Sequence, residues 1–359
     1  MKSTFINAET GRYAVFGGAL LGGGGGGYTE EGLRILDMAL EFRDEIPLVD
    51  IGGIDPEVII LTASLVGSPA SENRYVAPQH YRRVYQLFRQ GYDGEIGGII
   101  TNETGGQSST NGWMLAAMTG LPLIDAPCNG RAHPTGVMGS LGLAQETGYR
   151  SVQAAVGGYA AVETEMIVTG TLEGTSALVR AAATAAGGFV TVLRNPVTAA
   201  YVTQHGAVGA MARSIEIGQA ICQNLGNGAM VVEALRQTAH LEVLGHGVIG
   251  EASLTITDGF DLGTLTVGCG DSDIELLFWN EFMTAEIDGR RLATFPDLIA
   301  ILDSESGLPV TSAAARKGQR VYVVYIPRCK LLLGSSMFNR VLLQDAENRI
   351  GKELVRYVF

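Results

Sequence analysis

The feature that most constrains this chain is where its glycines fall. There are 49 in 359 residues, about twice ordinary usage. They do not repeat with a period; they close apolar runs, as an unbroken stretch from Gly22 to Gly27 and as the pairs Gly52-Gly53, Gly105-Gly106, Gly157-Gly158 and Gly187-Gly188. Glycine at a strand end admits positive φ and lets the backbone approach a ligand or another segment closely. Many such points imply strand termini gathered around a site. With 46% hydrophobic and 17% charged residues, disorder is excluded, and 359 residues exceed what one hydrophobic core serves, so two lobes are expected.

Between the glycines, strand and helix patterns alternate. Residues 13–16 read as a β run entering the glycine tract, and a helix follows from Thr29 to Phe42. Then come β runs at 47–51 and 58–66, helical spacing over 79–90, a β run at 96–101, a helix over 111–118 and a strand at 121–125. This predicts an α/β N-terminal lobe with a largely parallel sheet over residues 1–165. Further on, 155–162 and 165–170 read as strands, and 176–186 and 208–225 as helices. From Val248 the β patterns dominate, at 252–257, 264–267, 275–279, 298–303 and 320–326, with turns at Asp258-Gly259 and Asp288-Gly289. Residues 166–359 are expected to form an α+β C-terminal lobe with a β-rich end.

Charge narrows the partners. Lys and Arg number 25 against 37 Asp and Glu, a net charge of −12, which repels nucleic acid and anionic membrane surfaces alike. Apolar stretches are far shorter than a membrane span, and the first residues carry no export pattern, so a cytoplasmic protein is expected. The four cysteines form no CxxC pair, against both a disulfide framework and a zinc ribbon. The expected partners are a small, anionic substrate and further copies of the chain in a homo-oligomer.

Gly22, Gly24 and Gly27 satisfy G-x-G-x-x-G, with Asp50 downstream. Six consecutive glycines satisfy almost any glycine motif, so no dinucleotide is expected there. Their amides can face a polar ligand or an oxyanion, or the tract is simply a tight turn.

The densest polar stretch runs from Thr101 to Thr135, where Glu103, Gly105, Gly106 and Ser108 follow one predicted strand and Asp125, Cys128, Asn129, Arg131 and His133 follow another. In an open α/β sheet, ligands bind outside the carboxyl ends of the strands, so both loops are expected at one crevice. Glu103 and Asp125 supply acid–base carboxylates there, or each merely caps a helix or pairs with Arg131. Cys128 and His133 form a thiolate with its base, or soft metal ligands together with His205; equally, Cys128 is a small buried hydrophobe. Arg131 is suited to clamp a substrate carboxylate bidentately, with Asn129, Ser108, Gly24, Gly25, Gly105 and Gly106 completing the substrate contacts.

The stretches TNETGGQSSTNG, LPLIDAPCNGRAHPTGVMGSLGL, YVTQHGAVGAMARSIEIG and NEFMTAEIDGRRLATFPDLIAILD, in this order behind the glycine tract, resemble the S-methyl thiohydantoin desulfurase-like family. The likeness spans nearly the whole chain. The positions it carries over are Glu103, Gly105, Gly106, Asp125, Gly130, Arg131, Pro134, His205, Asn280, Glu281, Pro296 and Asp297. The resemblance implies a hydrolase: water attacks C2 of an S-alkylated thiohydantoin, a thiol leaves and a hydantoin remains. Glu103, Asp125, His133, His205 and Cys128 are the catalytic candidates. A zinc ion on Cys128, His133 and His205 suits water activation beside sulfur. Two other classes stand beside this one: a non-catalytic accessory subunit of a hydantoinase or oxoprolinase system, and a dinucleotide-dependent oxidoreductase.

Overall fold

The computed structural model describes residues 4–67, 75–257 and 260–359. Four strands in the middle of the first sheet, Ile46–Val49, Leu123–Ile124, Ile96–Thr101 and Ile59–Gly67, run parallel. Thr4–Ile6 borders one edge antiparallel, and Phe189–Thr198, Ser151–Gly157 and Thr164–Gly170 extend the other edge antiparallel. The α/β lobe therefore has the expected parallel centre. Its apolar strands alternate between two buried faces. Leu61 and Ile99 share a core with the helices Thr29–Leu40, Pro78–Gly91 and Trp113–Thr119, while Ile60 and Ile100 face Leu172, Ala199 and Val202. Sheet membership crosses residue 165, since Thr164–Gly170 and Phe189–Thr198 both belong to this first sheet.

The second sheet is antiparallel, with eight strands between Glu242 and Ile326. Its strand Leu298–Asp303 is apolar on both sides because both sides are covered. Ile299 and Ile301 join the sheet's own core with Leu276, Phe278 and Val323, whereas Leu298, Ala300 and Leu302 pack against Leu20, Ile217 and Leu235 from helices. The turn at Asp288-Gly289 is present, both residues having positive φ; that at Asp258-Gly259 lies outside the described residues. Among the described residues, no helix is long and apolar enough to cross a membrane.

One expected element is of the other type. Residues 13–16 lie inside a helix, Ala8–Leu21, because Asn7 and Thr10 form a capping box that satisfies the first amides. The β-like apolar run is this helix's buried face. It crosses the helix Ala210–Cys222 so closely that a Cβ on Gly17 would overlap the Ser214 carbonyl, and one on Gly218 the Tyr13 carbonyl. The glycine tract thus follows a helix, and the strand–turn–helix context of a dinucleotide fold is missing. His205 ends a separate short helix, Ala199–His205, ahead of the helix Ala210–Cys222.

Candidate active site

The loop after Ile96–Thr101 and the loop after Leu123–Ile124 are stitched together by backbone: Cys128 N–H donates to Thr101 O at 2.9 Å, and Thr104 N–H to Asn129 O at 3.1 Å. Across them lies the glycine tract, held from both lobes. Gly26 O accepts from the amides of Gln107 and Ser108 at 2.9 and 3.0 Å, while Gly23 O and Gly24 O accept from Phe282 and Ser312 at 2.7 and 2.9 Å. Side chains do not fit in this clasp. A Cβ on Gly26 would come within 2.6 Å of the Gly105 Cα, and one on Gly25 would overlap Glu281 Oε1. The amides of Gly24, Gly26 and Gly27 donate to no acceptor among the described residues.

Beneath the tract is a cavity of about 470 Å³, bordered by both lobes. Glu103 and His133 enter it from the first. Glu103 Oε2 lies 3.1 Å from His133 Nε2 and accepts the His133 backbone N–H at 3.2 Å, so one carboxylate fixes both ring and loop. Nε2 also lies 3.4 Å from Asn102 O, and Nδ1 is buried without a partner. Asn102 is itself held by Asn111, whose Nδ2 donates to Asn102 Oδ1 at 2.8 Å.

The second lobe contributes Glu281. Asn280 adopts φ +58°, and its amide donates to Asp261 O at 2.7 Å while its Oδ1 accepts from Asp261 N–H at 2.9 Å. This tight reversal leaves Glu281 at the start of its strand with 2% exposure and Oε2 unpartnered. Burial holds the Glu281 carboxyl well above the ordinary carboxylate range, and the charge of Glu103 pushes it further up against the pull of Arg131. Two carboxyls with unlike environments thus meet at one cavity, the arrangement that separates an acid from a base. Glu281 stands among the residues the resemblance carries over, but it lies between the β runs expected at 275–279 and 298–303, where the residue pattern alone marks no site.

The other expected site residues are used by the fold. Asp125 accepts from the amides of Met211 and Ala212 at 2.7 and 3.1 Å and so caps the helix Ala210–Cys222; burial raises its carboxyl to about 6. Cys128 is fully buried among Ile60, Ile100 and Ile124, 3.3 Å from Thr62 Oγ1, and burial pushes its thiol up to about 11. A thiol in that state is a poor nucleophile and a poor ligand. His205 stacks on Tyr201 and places Nδ1 3.1 Å from Ser335 Oγ. The proposed zinc trio Cys128, His133 and His205 is therefore not brought together, and no group of three or more His, Cys, Asp or Glu among the described residues could hold a metal ion.

Arg131 is likewise engaged by the fold. It is wholly buried, stacks on Phe295, and donates to Ala132 O at 3.1 Å, Pro296 O at 3.1 Å and Asp297 O, tying its loop to the second lobe. Asn129 Oδ1 accepts from Gly334 N–H at 3.3 Å. Gly105 and Gly106 pack against the tract's backbone rather than lining the cavity, whereas Gly24, Gly25 and Ser108 do line it. Of the expected residues, the cavity thus gathers Glu103, His133, Ser108, Gly24 and Gly25.

Family models describe this architecture. The S-Me-THD-like N-terminal domain matches residues 12–166 and the S-Me-THD-like C-terminal domain residues 171–336. The chain belongs to the S-Me-THD-like family. A crystal structure of a protein from Chromobacterium violaceum has the same fold, at a TM-score of 0.73 and 18% identity, covering 97% of this chain and 96% of that one. No curated protein matches. In this S-Me-THD-like chain the family's two domain models meet near residue 170, and the candidate cavity takes side chains from both.

Proposed function

We propose that this protein is a hydrolase of S-alkylated thiohydantoins. The observation that carries the reading is the pair Glu103 and Glu281 on one cavity, the first braced by His133 and the second desolvated. In the substrate, C2 is an amidine-like carbon between two ring nitrogens and bears the sulfur. Glu103, with His133 beside it, takes a proton from water as its oxygen bonds to C2. The ring nitrogen of the C=N bond takes up the electron pair and the proton that Glu103 has accepted. Glu281, held protonated by burial, gives its proton to sulfur as the C–S bond breaks. The C2 hydroxyl gives its proton to the Glu281 carboxylate as it becomes the carbonyl of the hydantoin, which returns both carboxyls to their starting states. Water and the S-alkyl thiohydantoin thus give hydantoin and thiol, with no net redox change. The unpaired amides of the glycine tract are suited to hold the negative charge that develops on a ring oxygen or nitrogen.

Incubating the protein with an S-methyl thiohydantoin in ¹⁸O-water tests the reaction. Release of methanethiol together with one ¹⁸O atom in the hydantoin is expected. Thiol release without the label, or no release under conditions where the ligand binds, contradicts the reading.

A further inference from the structure

One strand of the second sheet outruns its neighbour. Glu242–Thr257 pairs with Arg320–Ile326 only as far as Val248; Ile249 N–H then donates to Gln319 O at 2.9 Å, and Ile249 O accepts from Gly318 N–H at 2.8 Å. Beyond Ile249 the strand Phe260–Gly268 holds one edge, and among the described residues no strand pairs with the other. Every residue from Glu251 to Thr257 is exposed. Leu254 and Ile256, at 46% and 53%, lie on the face where Leu265, opposite Ala252, enters the sheet's core. An apolar face thus runs off the end of its own core.

A row of unpaired amides and carbonyls beside exposed apolar side chains is a template for another strand, and proteins guard such edges with Lys, Pro or inward-pointing charge. Residues 250–257, GEASLTIT, contain no Lys, Arg or Pro, and their one charge, Glu251, stands at the root. The segment is also self-complementary. Laid antiparallel on itself with Leu254 on a two-fold axis, it sets Ala252 opposite Ile256 and Leu254 opposite Leu254 on the apolar face, Ser253 opposite Thr255 on the other, and Glu251 opposite the uncharged Thr257. Small meets large, hydroxyl meets hydroxyl and no like charges face each other, the pairings that favour a cross-strand register. An unrelated strand would not share this symmetry; a second copy does.

We infer that the edge from Glu251 to Thr257 is a homodimer interface, in which two copies pair antiparallel about Leu254 and join their second sheets into one. The surface is isologous, so the contact closes at two copies rather than continuing into a fibre. It lies one strand from the cavity: Ile256 is opposite Asp261, and Asp261 holds Asn280, whose reversal sends Glu281 inward.

Sedimentation velocity and site-directed cross-linking on the full chain test it. The wild type should sediment as two chains, and Leu254→Lys, which sets two like charges face to face on the axis, should halve that mass with circular dichroism unchanged. In Leu254→Cys the two thiols meet across the axis, with Cα atoms about 4.5–5.5 Å apart and within reach of a disulfide, so mild oxidation should give a covalent dimer whose linked peptides both contain position 254. Glu251→Cys, whose two copies fall at opposite ends of the pairing, should give none, and the unsubstituted chain, with Cys329 exposed, is the blank. A wild type that sediments as one chain at every concentration, a mass that Leu254→Lys leaves unchanged, or cross-linking as strong from position 251 as from 254 overturns the interface. Should Leu254→Lys fail to fold, Leu254→Cys carries the test.

Discussion

At Asp125 a carboxylate that sequence alone makes a candidate acid or base is occupied by two helix amides, Met211 and Ala212. Its folded-state value of about 6 stands above the ordinary 3.8, so the folded protein holds this proton more tightly than the unfolded chain. The stability it contributes is complete below about pH 4 and is lost as pH rises through about 6, by up to about 3 kcal/mol. Asp125→Asn has no such titration. Melting temperatures of wild type minus Asp125→Asn should therefore fall between pH 4 and pH 6, and a difference that rises over this range contradicts the assignment. Glu103 and His133 were legible because a polar pair just past a strand end has few places to go but the crevice. Cys128 and Arg131 lie in the same stretch, yet face the interior; loop sequence carries no periodicity that tells inward from cavity-facing. Glu281 was marked by the family resemblance alone, since its direction depends on the positive φ of Asn280, which no residue pattern announces.

Elements show what glycine can and cannot signal. The tract from Gly22 to Gly27 reads as a ligand-cradling loop, and it does border the cavity, but its density is set by packing: the Gly105 backbone and the side chains of Arg131, Phe282, Glu281 and Gln107 leave no room for Cβ atoms. Gly17 of the helix Ala8–Leu21 and Gly218 of the helix Ala210–Cys222 serve a helix crossing, which a four-residue apolar window cannot reveal, so residues 13–16 pass for a strand. Two substitutions separate these roles. In Gly218→Ala the new methyl meets the backbone carbonyl of Tyr13, which cannot swing away, and a loss of about 1–3 kcal/mol or more is expected in urea unfolding. In Gly25→Ala it meets the flexible end of Glu281, so turnover should fall while less stability is lost. The reverse ranking contradicts this division of labour.

For the whole molecule, the alternation of strand and helix and the later run of β patterns were enough to predict an α/β lobe followed by a β-rich one. The strand Phe189–Thr198 joins the first sheet from beyond residue 165: a chain can return to an earlier sheet after an intervening helix, and only tertiary pairing records it. The consequence for function is that the cavity is shared. Glu103 arrives from a parallel strand end of the first sheet and Glu281 from a hairpin of the second, brought together by the glycine clasp and by Arg131 bound to the Pro296 and Asp297 carbonyls. Neither lobe alone holds both carboxyls, so the account stands or falls on their joint action. Its most direct test is turnover of an S-methyl thiohydantoin by Glu103→Gln and Glu281→Gln, with folding verified for each. Each variant should lose about 10²- to 10⁴-fold in kcat, with the Glu281→Gln defect shrinking for a substrate whose thiol leaves easily. Wild-type turnover retained in both variants would show that the reaction does not use this pair.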